Sequence, residues 1–507
     1  SYELLEPEDL ISIERYLGSG AIKGLGPAFA GRIVRRFKGD TFRIIEEEPE
    51  RLVEVKGIGE QKAREIAAQV EEKKDMRKAM IYLQKYGISI SLSAKIYEYY
   101  GQKVYSVLEE NPYQIADRIP GVGFRTADDV ARRMGICVDS DYRIQSGIVY
   151  ALLQATGEGH IYLPERELVY RTKEILGIEL QDISQHLLEL SMAKKIIVKE
   201  KNEEKRIYAS QYYYMELNTA SMLKDLNIDY EVSITAIEQR IFEIEKQSGM
   251  QLDDKQRQAV IEAARHGILI LTGGPGTGKT TTINTMIQFF ERDGMDIYLA
   301  APTGRAAKRM TEATGYEAKT IHRMLELSNI LGEEDHRMHY GRNEENPLEA
   351  DVIIVDEMSM VDTLLFESLL RALRLGTRII LVGDSDQLPS VSAGNVLHDI
   401  IDSSKIPVIA LNKIYRQSDK SLIVHNAHEI INGKMPVLNS RDADFFMLDS
   451  QNGMETAKTV VDLVANRLPR AYGFEPMTDI QVLCPSRKLD TGTQNLNLLI
   501  QEQINPP

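Results

Sequence analysis

The segment from Gly273 to Thr280 combines residue types that together bind phosphate, in the order Gly-Gly-Pro-Gly-Thr-Gly-Lys-Thr. It follows the apolar residues Ile268 to Leu271, which predict a buried strand, and precedes a helix predicted to begin near Thr280. Such glycines let successive backbone N–H groups surround phosphates, while Lys279 neutralises charge and the Thr280 hydroxyl ligates Mg²⁺. An ordinary glycine-rich turn is disfavoured by this strand–loop–helix setting. The segment therefore predicts an ATP site, with nucleotide contacts from Gly274, Pro275, Gly276, Thr277, Gly278, Lys279, Thr280 and Thr281.

Two adjacent carboxylates, Asp356 and Glu357, follow a second apolar segment, Val352 to Val355. An uninterrupted β-branched segment predicts a central strand of a parallel sheet, and ligands bind at the C-terminal ends of such strands. Asp356 is predicted to hold Mg²⁺ through water, and Glu357 to orient and deprotonate the water that attacks the γ-phosphate. An Asp-Glu pair is a weak signal alone. Its position downstream of Lys279 in the phosphate-binding loop, or P-loop, makes it a strong one.

Further motifs occur in a fixed order around these two sites. They are LDDKQRQAV at 252–260, APTGRAAKR at 301–309, Thr320 to Arg323, GDSDQLPSV at 383–391 and YRQ at 415–417. Together with GGPGTGKT and VDEMSMVD, this series resembles the RecD-like DNA helicases, which form the 5′-to-3′ branch of superfamily 1. The fold class is then an α/β RecA-like P-loop motor, preceded by an all-α region of helix-hairpin-helix repeats and a small winged-helix-like α+β domain.

The resemblance assigns roles to residues that their local pattern alone does not explain. Gln256 is expected to read adenine, Gln387 to sense the γ-phosphate, and Arg416 to reach the γ-phosphate from a second RecA-like domain. With Lys279 and Glu357, the last two complete the predicted catalytic set. Single-stranded DNA is expected to be contacted by Pro302, Thr303, Arg305, Thr320 and His322.

The first 140 residues contain a repeated turn of the form apolar-x-Gly-apolar-Gly, each followed by alanine and an apolar residue at helical spacing. The repeat resembles a helix-hairpin-helix, in which backbone N–H groups at a helix N-terminus bind a DNA phosphate without reading sequence. A helical packing repeat is the alternative. A degenerate copy is expected around Gly87. The predicted DNA contacts are Gly24, Gly26, Gly57, Gly59, Gly121 and Gly123.

The chain is predicted to divide into successive regions. These are hairpin repeats at 1–140, a winged-helix-like domain at 141–215, a helical connector at 216–250, a first RecA-like domain at 251–410 with a pin insertion at about 324–350, and the start of a second RecA-like domain at 411–507. For the insertion, a mobile surface loop is an equally supported alternative. The winged-helix-like domain is as well explained by a spacer role as by DNA contact. Compared with the family pattern, the chain looks truncated inside the second RecA-like domain, which puts coupled hydrolysis in doubt.

Composition bounds the remaining possibilities. Hydrophobic residues make up 43% and charged residues 27% of the 507 residues, with no apolar run of membrane-spanning length, which predicts a cytoplasmic protein that is nucleoid-associated when bound to DNA. The two cysteines, Cys137 and Cys484, are predicted to be buried thiols. A net charge of −15 argues against indiscriminate coating of nucleic acid, although local basic tracks remain compatible with it.

The leading interpretation is therefore a helicase that uses ATP and Mg²⁺ and acts on single-stranded DNA and on junctions of single- and double-stranded DNA. The helix-hairpin-helix extension ahead of the motor resembles the long RecD-like helicases, which implies that the protein acts without RecB or RecC partners. Two alternatives stay open: a non-catalytic DNA-structure binder with nucleotide as a conformational ligand, and an ATPase accessory of a nuclease complex. DNA-stimulated ATP hydrolysis separates the first interpretation from the second.

Overall fold

The computed structural model describes residues 7–18, 22, 24–72, 74–119, 121–180, 182–328, 339–413, 421–438 and 444–506. The chain divides into two compact units, Ser1–Lys413 and Ile414–Pro507, which are treated separately below.

Short helices joined by tight turns form the N-terminal region. They are α1 (Pro7–Gly18), α2 (Pro27–Phe37), α3 (Thr41–Glu47), α4 (Glu60–Glu72), α5 (Lys74–Lys85), α6 (Ile90–Tyr100), α7 (Val104–Glu110), α8 (Gln114–Arg118) and α9 (Phe124–Arg133). The helices that follow the repeated turns are α2, α4 and α9, and each buries the alanine and the apolar residue expected from the spacing. These residues are Ala30 and Ile33, Ala63 and Ile66, and Ala127 and Val130.

A small α+β region follows, with α10 (Asp141–Thr156), β1 (Tyr162–Pro164), α11 (Glu165–Leu176), α12 (Ser184–Met192), β2 (Ile196–Lys201) and β3 (Glu204–Ala209). The strands form an antiparallel sheet in the order β1-β3-β2. Its hydrophobic core is continuous with that of α5 to α9, because one cluster of buried side chains runs from Ala79 to Ala209. The earlier helices have a core of their own, from Ile13 to Met80. The boundary at residue 140 stays a prediction.

Two helices, α13 (Ser210–Leu226) and α14 (Ile234–Ser248), occupy the segment expected to be one helical connector. In the second helix, Ile237, Ile241 and Ile244 are buried at helical spacing. Ile234 is 46% exposed, because it occupies the first position of α14, where the helix has only begun to pack.

A parallel six-stranded sheet with helices on both faces forms the centre of the first unit. Its elements, with their insertion, are α15 (Asp254–Arg265), β4 (Ile268–Gly273), α16 (Lys279–Glu291), β5 (Ile297–Ala301), α17 (Gly304–Thr314), β6 (Ala318–Thr320), α18 (Ile321–Met324), β7 (Leu327–Ser328), β8 (His339–Tyr340), β9 (Val352–Val355), α19 (Thr363–Arg371), β10 (Arg378–Gly383), α20 (Val396–Ser403) and β11 (Val408–Leu411). The strand order is β11-β4-β10-β9-β5-β6. Alternate residues of β4, β9 and β10 face two separate hydrophobic cores, which explains why these strands are apolar throughout.

The insertion is described only at its two ends. There β7 pairs antiparallel with β8, through Leu327 with Tyr340 and Ser328 with His339. Residues 329–338, where the tip of a pin would lie, are outside the described residues, so the pin stays a prediction.

The second unit contains α21 (Leu422–Ile431), α22 (Gly453–Asp462), α23 (Leu468–Tyr472) and α24 (Thr493–Ile504). Within 421–438 and 444–506, no strand is formed, and the assignment of a second RecA-like domain stays a prediction. The expectation that both cysteines are buried is wrong, since Cys137 is exposed and Cys484 is partly exposed. Among the described helices, none has the length and apolar character that crossing a membrane requires.

Candidate active site

The P-loop connects β4 to α16 and exposes its backbone where a strand ends and a helix begins. Gly276 and Gly278 have φ angles of 78° and 86°, a left-handed conformation that favours glycine. The Thr277 hydroxyl donates to the Gly274 carbonyl at 2.8 Å and braces the loop from inside. The Lys279 ammonium donates to the carbonyls of Gly273 and, at 3.2 Å, of Gly274. Lysine and loop are therefore held together at the N-terminus of α16, which is the geometry of an anion site.

Gln256 lies in the first turn of α15, next to the end of the P-loop. Its side-chain oxygen accepts from the Asp253 N–H at 3.0 Å, and its own N–H donates to the Asp253 carboxylate at 2.8 Å, which forms a capping box. Its amide nitrogen lies 3.4 Å from the Gly278 carbonyl. Gln256 thus links the start of α15 to the phosphate loop, and its predicted contact with adenine stays a prediction.

Asp356 and Glu357 lie at the C-terminal end of β9, two strands away from the P-loop strand. Burial raises the pKa of Asp356, against the opposing influence of the backbone N–H of Glu357 and of the cations Lys279 and Arg309. Burial, reinforced by the neighbouring Asp356 charge, also raises the pKa of Glu357. Both carboxylates are therefore poorly solvated and close to the P-loop lysine, as a site for a divalent cation and a reactive water requires.

The backbone of Glu357 is itself unusual. It has φ 55° and ψ 41°, the left-handed region that residues other than glycine seldom occupy. Its N–H donates to the Asp356 carboxylate at 2.8 Å, and the Asp356 N–H donates to the Ala300 carbonyl at 2.9 Å. These bonds fix the sharp turn at which the two carboxylates follow one another.

Asp384 and Gln387 follow β10, the strand between β4 and β9. Asp384 is buried, and its negative charge contributes to the raised pKa of Glu357. The Gln387 side chain donates to the Asp384 carboxylate at 3.4 Å. The Ser385 N–H donates to the Thr272 hydroxyl at 3.2 Å, which joins this loop to the strand that precedes the P-loop.

The predicted single-strand contacts follow β5 and β6, which end side by side at the same C-terminal edge of the sheet as the P-loop and the two carboxylates. Thr303 and Thr320 are helix N-caps, and their hydroxyls accept from the backbone N–H groups of Ala306 and Arg323 at 3.2 Å each. Pro302 and His322 are partly buried, and Arg305 is exposed. The structure therefore brings these five residues to one edge, next to the carboxylates of the adjacent strand β9.

The repeated N-terminal turns share one backbone design. In each, the residue after the first glycine donates its N–H to the apolar residue three positions earlier, at 3.1–3.2 Å. The first glycines Gly24, Gly57 and Gly121 have φ angles of 84°, 97° and 85°, as the third position of such a turn requires. The degenerate copy is also present, since Gly87 has φ 80° and α6 begins shortly after it.

The second glycine of each turn directly precedes a helix and leaves its N-terminus open. Gly26 and Gly123 are the N-caps of α2 and α9, and neither helix has a side-chain cap. A methyl group added at Gly26, Gly59 or Gly123 would meet nothing within 4 Å. The free backbone N–H groups at these ends are therefore accessible to an anion.

Comparisons with known proteins match both the region of the hairpin turns and the region of the P-loop. The family model of the ATP-dependent RecD2 DNA helicase HHH domain matches residues 72–162, a SAM-like helix-hairpin-helix tandem matches 15–72, and an AAA domain matches 251–449. A type II/IV secretion system protein model also matches 164–301, a range that includes the P-loop. The ATP-dependent RecD2 DNA helicase of Deinococcus radiodurans is 30% identical over 96% of this chain and 66% of its own length.

The chain belongs to the RecD-like DNA helicases. It is also 35% identical to the RecBCD enzyme subunit RecD of Mycobacterium tuberculosis, over 49% of this chain and 48% of that protein. It thus spans about two thirds of one relative and about half of the other. A crystal structure of the Pif1 helicase from Candida albicans aligns with 38% of the chain at a TM-score of 0.28 and 21% identity, which is too distant to support an argument.

The structure describes the RecD-like motifs of the first unit, but not the YRQ motif at 415–417. Arg416 lies outside the described residues, so its predicted reach to the γ-phosphate is untested. Sequence reasoning missed Arg309, which lies close enough to lower the pKa of both Asp356 and Glu357. The available signal was its place in APTGRAAKR, one helical turn after Arg305.

Proposed function

We propose that this protein is an ATP-dependent DNA helicase that moves 5′-to-3′ along single-stranded DNA and separates strands at junctions. The observation that carries the proposal is the convergence of Lys279, Asp356, Glu357 and Gln387 at the C-terminal edge of one parallel sheet. The same edge continues into the predicted DNA contacts at Thr303 and Thr320. The ATP site and the path of the DNA strand would then lie along the same edge of one β-sheet.

The division of work among the site residues follows from their surroundings. Lys279 would neutralise phosphate charge at the N-terminus of α16, with the P-loop N–H groups and Thr281 beside it. Glu357, with its raised pKa and its fixed backbone, would hold the attacking water and accept its proton. Gln387, joined to Asp384, would report the γ-phosphate to the loop that follows β10.

Mg²⁺ fits the oxygen ligands that the chain offers at this edge. The Asp356 carboxylate is held at the end of β9, and Thr280 is exposed in the first turn of α16. Hard oxygen donors of this kind, few in number, match a cation that keeps several waters. When bound, the ion would supply charge neutralisation for the phosphates.

The DNA partner is proposed to be recognised by backbone and not by sequence. The hairpin turns present N–H groups at helix N-termini, which contact phosphate and carry no base information. The natural substrates are then single-stranded DNA and junctions, without RecB or RecC partners. We place the protein in the cytoplasm, associated with the nucleoid when bound to DNA.

The test compares DNA-stimulated ATP hydrolysis of the wild type with that of Glu357→Gln. This change preserves size and removes the base, so turnover should fall by about 10²-fold or more while ATP and DNA still bind. Glu349→Gln is the matched control, because Glu349 is an exposed carboxylate of the same domain in a surface pair with Arg374. Its turnover should match the wild type.

Lys279→Ala should instead weaken binding of Mg²⁺-ATP and abolish turnover without unfolding the chain. Unwinding of 5′-tailed but not 3′-tailed duplexes completes the test of direction. A rate of ATP hydrolysis that DNA does not stimulate would favour the accessory ATPase. DNA binding without ATP hydrolysis would favour the non-catalytic binder. Wild-type turnover in Glu357→Gln would mean that another residue positions the water.

A further inference from the structure

The turn that ends α10 touches the loop that carries Gln387. The N–H of Gly394 donates to the carbonyl of Gly159 at 3.0 Å, although the two residues lie in different regions of the sequence. A methyl group added at Gly159 would lie 4.0 Å from the carbonyl oxygens of Ser390 and Ser392. The backbone of the turn therefore lies directly against the loop that follows β10.

The loop is held at the same point from the motor side. The N–H of Thr363, at the start of α19, donates to the Ala393 carbonyl at 3.1 Å. Gly394 has φ 102°, and a methyl group there would lie 2.0 Å from the Thr363 hydroxyl oxygen and 3.1 Å from Cδ1 of Ile161. Gly394 is thus enclosed between the segment that follows Glu357 and a side chain of the α10 turn.

Helix α10 connects this contact to the hairpin turn at Gly121–Gly123. It has 16 residues and so spans about 24 Å. Near its start, the Arg143 guanidinium pairs with the Asp128 carboxylate of α9, with Nε and Oδ1 2.7 Å apart. In its middle, the Tyr150 ring stacks on Phe124, the first residue of α9, with centroids 5.2 Å apart.

This pairing makes α9 and α10 one rigid body. Asp128 and Arg143 are both buried, and the Tyr113 hydroxyl donates to Asp128 at 2.7 Å. The Arg143 guanidinium also donates to the carbonyls of Val138 and Leu176. A displacement of α9 would therefore carry α10 and its C-terminal turn with it, since packed cores move as units and deform little.

We propose that the turn at 157–161 transmits DNA binding at the Gly121–Gly123 hairpin to the ATP site, by setting the position of the loop at 385–395. Gly159 and Ile161 are then positioning residues for Gln387, although they lie outside the motor. The inference rests on the proposed function, because it concerns stimulation of ATP hydrolysis by DNA. It adds the route by which the N-terminal region exerts that stimulation.

The kinetic test uses Ile161→Ala in the full chain, with a tailed duplex oligonucleotide as the DNA. The ratio of ATPase rates with and without DNA should fall by about threefold to tenfold, the size of coupling losses in packed networks. The Kd for DNA and the KM for ATP should stay at wild-type values. Ile161→Leu, which keeps a branched apolar side chain, should restore the ratio, and Leu188→Ala, at a 56% exposed site of α12, should leave it unchanged.

An unchanged ratio in Ile161→Ala would overturn the proposal, as would a loss of DNA affinity equal to the loss of rate. Amide hydrogen exchange provides a readout that does not need hydrolysis. Binding of the duplex should change exchange at 390–395 in the wild type and not in Ile161→Ala. If DNA does not stimulate ATP hydrolysis by the wild type, the proposed function fails. A change in exchange at 390–395 on binding of the duplex would then still support the proposed link between the hairpin turn and the loop. No such change in the wild type would refute the link.

Discussion

The two glycines of one hairpin turn serve different purposes. Gly121 has φ 85°, so the backbone itself demands glycine there. Gly123 has φ −93° and ψ 170°, which any residue adopts, and it has open space around its Cα. No packing requirement at Gly123 explains its lack of a side chain, whereas the proposed close approach of a phosphate to the N-terminus of α9 would explain it.

Gly123→Ala should therefore lower DNA affinity without affecting the fold. The added methyl group stands between a phosphate and the first N–H groups of α9, and losing one hydrogen bond to a charged group costs about 1.5–3 kcal/mol, or roughly tenfold or more in Kd. Fluorescence anisotropy with a labelled duplex measures the change. Gly135→Ala is the control, since Gly135 also has open space, with φ 81°, but follows α9 instead of preceding it. Because alanine is strained at Gly135 and unstrained at Gly123, equal losses of affinity in both variants would mean that a general disturbance of α9, and not obstruction of a phosphate, lowers the affinity.

The local geometry around the candidate ATP-site residues was predictable, because the phosphate loop is defined by its own sequence motif. The glycines around Thr277 and the apolar strand before them define the phosphate loop without any tertiary information. The closeness of Arg309 to Glu357 was not predictable in the same way, because it depends on β5 lying next to β9 in the sheet. The left-handed backbone of Glu357 also gives no sequence signal, since glutamate carries no preference for that conformation.

At the scale of elements, the pair α9 and α10 depends on a buried ion pair. Burial alone would raise the pKa of Asp128, but hydrogen bonds from Arg143 and Tyr113 outweigh it and leave the pKa of Asp128 lowered. A carboxylate whose pKa is lowered by folding contributes stability above its unfolded pKa, and that contribution is lost as the pH falls through the lowered value. Acid should therefore loosen this helix pair.

Asp128→Asn should destabilise the pair at neutral pH, because it leaves Arg143 buried without its counter-charge, at a cost of about 3–5 kcal/mol. Tyr113→Phe should cost only about 1 kcal/mol, since it removes one hydrogen bond and leaves the ion pair intact. Amide exchange of α9 peptides measures both. Below about pH 4, where an ordinary aspartate becomes protonated, the protection of the α9 amides in the wild type, relative to their intrinsic exchange rates at each pH, should fall towards that of Asp128→Asn. A wild type that shows no acid dependence would contradict the assigned role of the pair.

Elements with a strong period were predicted from the sequence, and two finer features were not. The buried faces of α2 and α4 follow from apolar spacing alone. Strand β1 was missed because three residues are too few to show an alternating pattern. The prediction of a helical connector did not include its division into α13 and α14, because Asn227 to Ser233 contains no glycine or proline to mark the break.

At the scale of the whole molecule, the acidic net charge of −15 and DNA binding are compatible, because the phosphate contacts that we propose for the hairpin turns use backbone N–H groups. Helix N-termini attract phosphate through unpaired donors and the helix dipole, and they add no formal charge. An acidic protein can then bind DNA at a few defined points and repel it elsewhere. Affinity should depend on how many turns are present.

Deletions of the N-terminal region test this dependence, and their effect depends on where they end relative to the two hydrophobic cores of that region. Removing residues 1–72 takes away the turns at Gly24 and Gly57 together with most of the core from Ile13 to Met80. The shortened chain should bind every DNA sequence more weakly, lose less affinity as salt is raised, and keep ATP binding. Removing residues 1–140 instead cuts the continuous core from Ala79 to Ala209, so this second deletion should expose apolar surface and aggregate. Titrations of DNA affinity against salt, with light scattering for aggregation, measure both; unchanged affinity and salt slope after the shorter deletion would show that the first two turns serve packing or a protein partner.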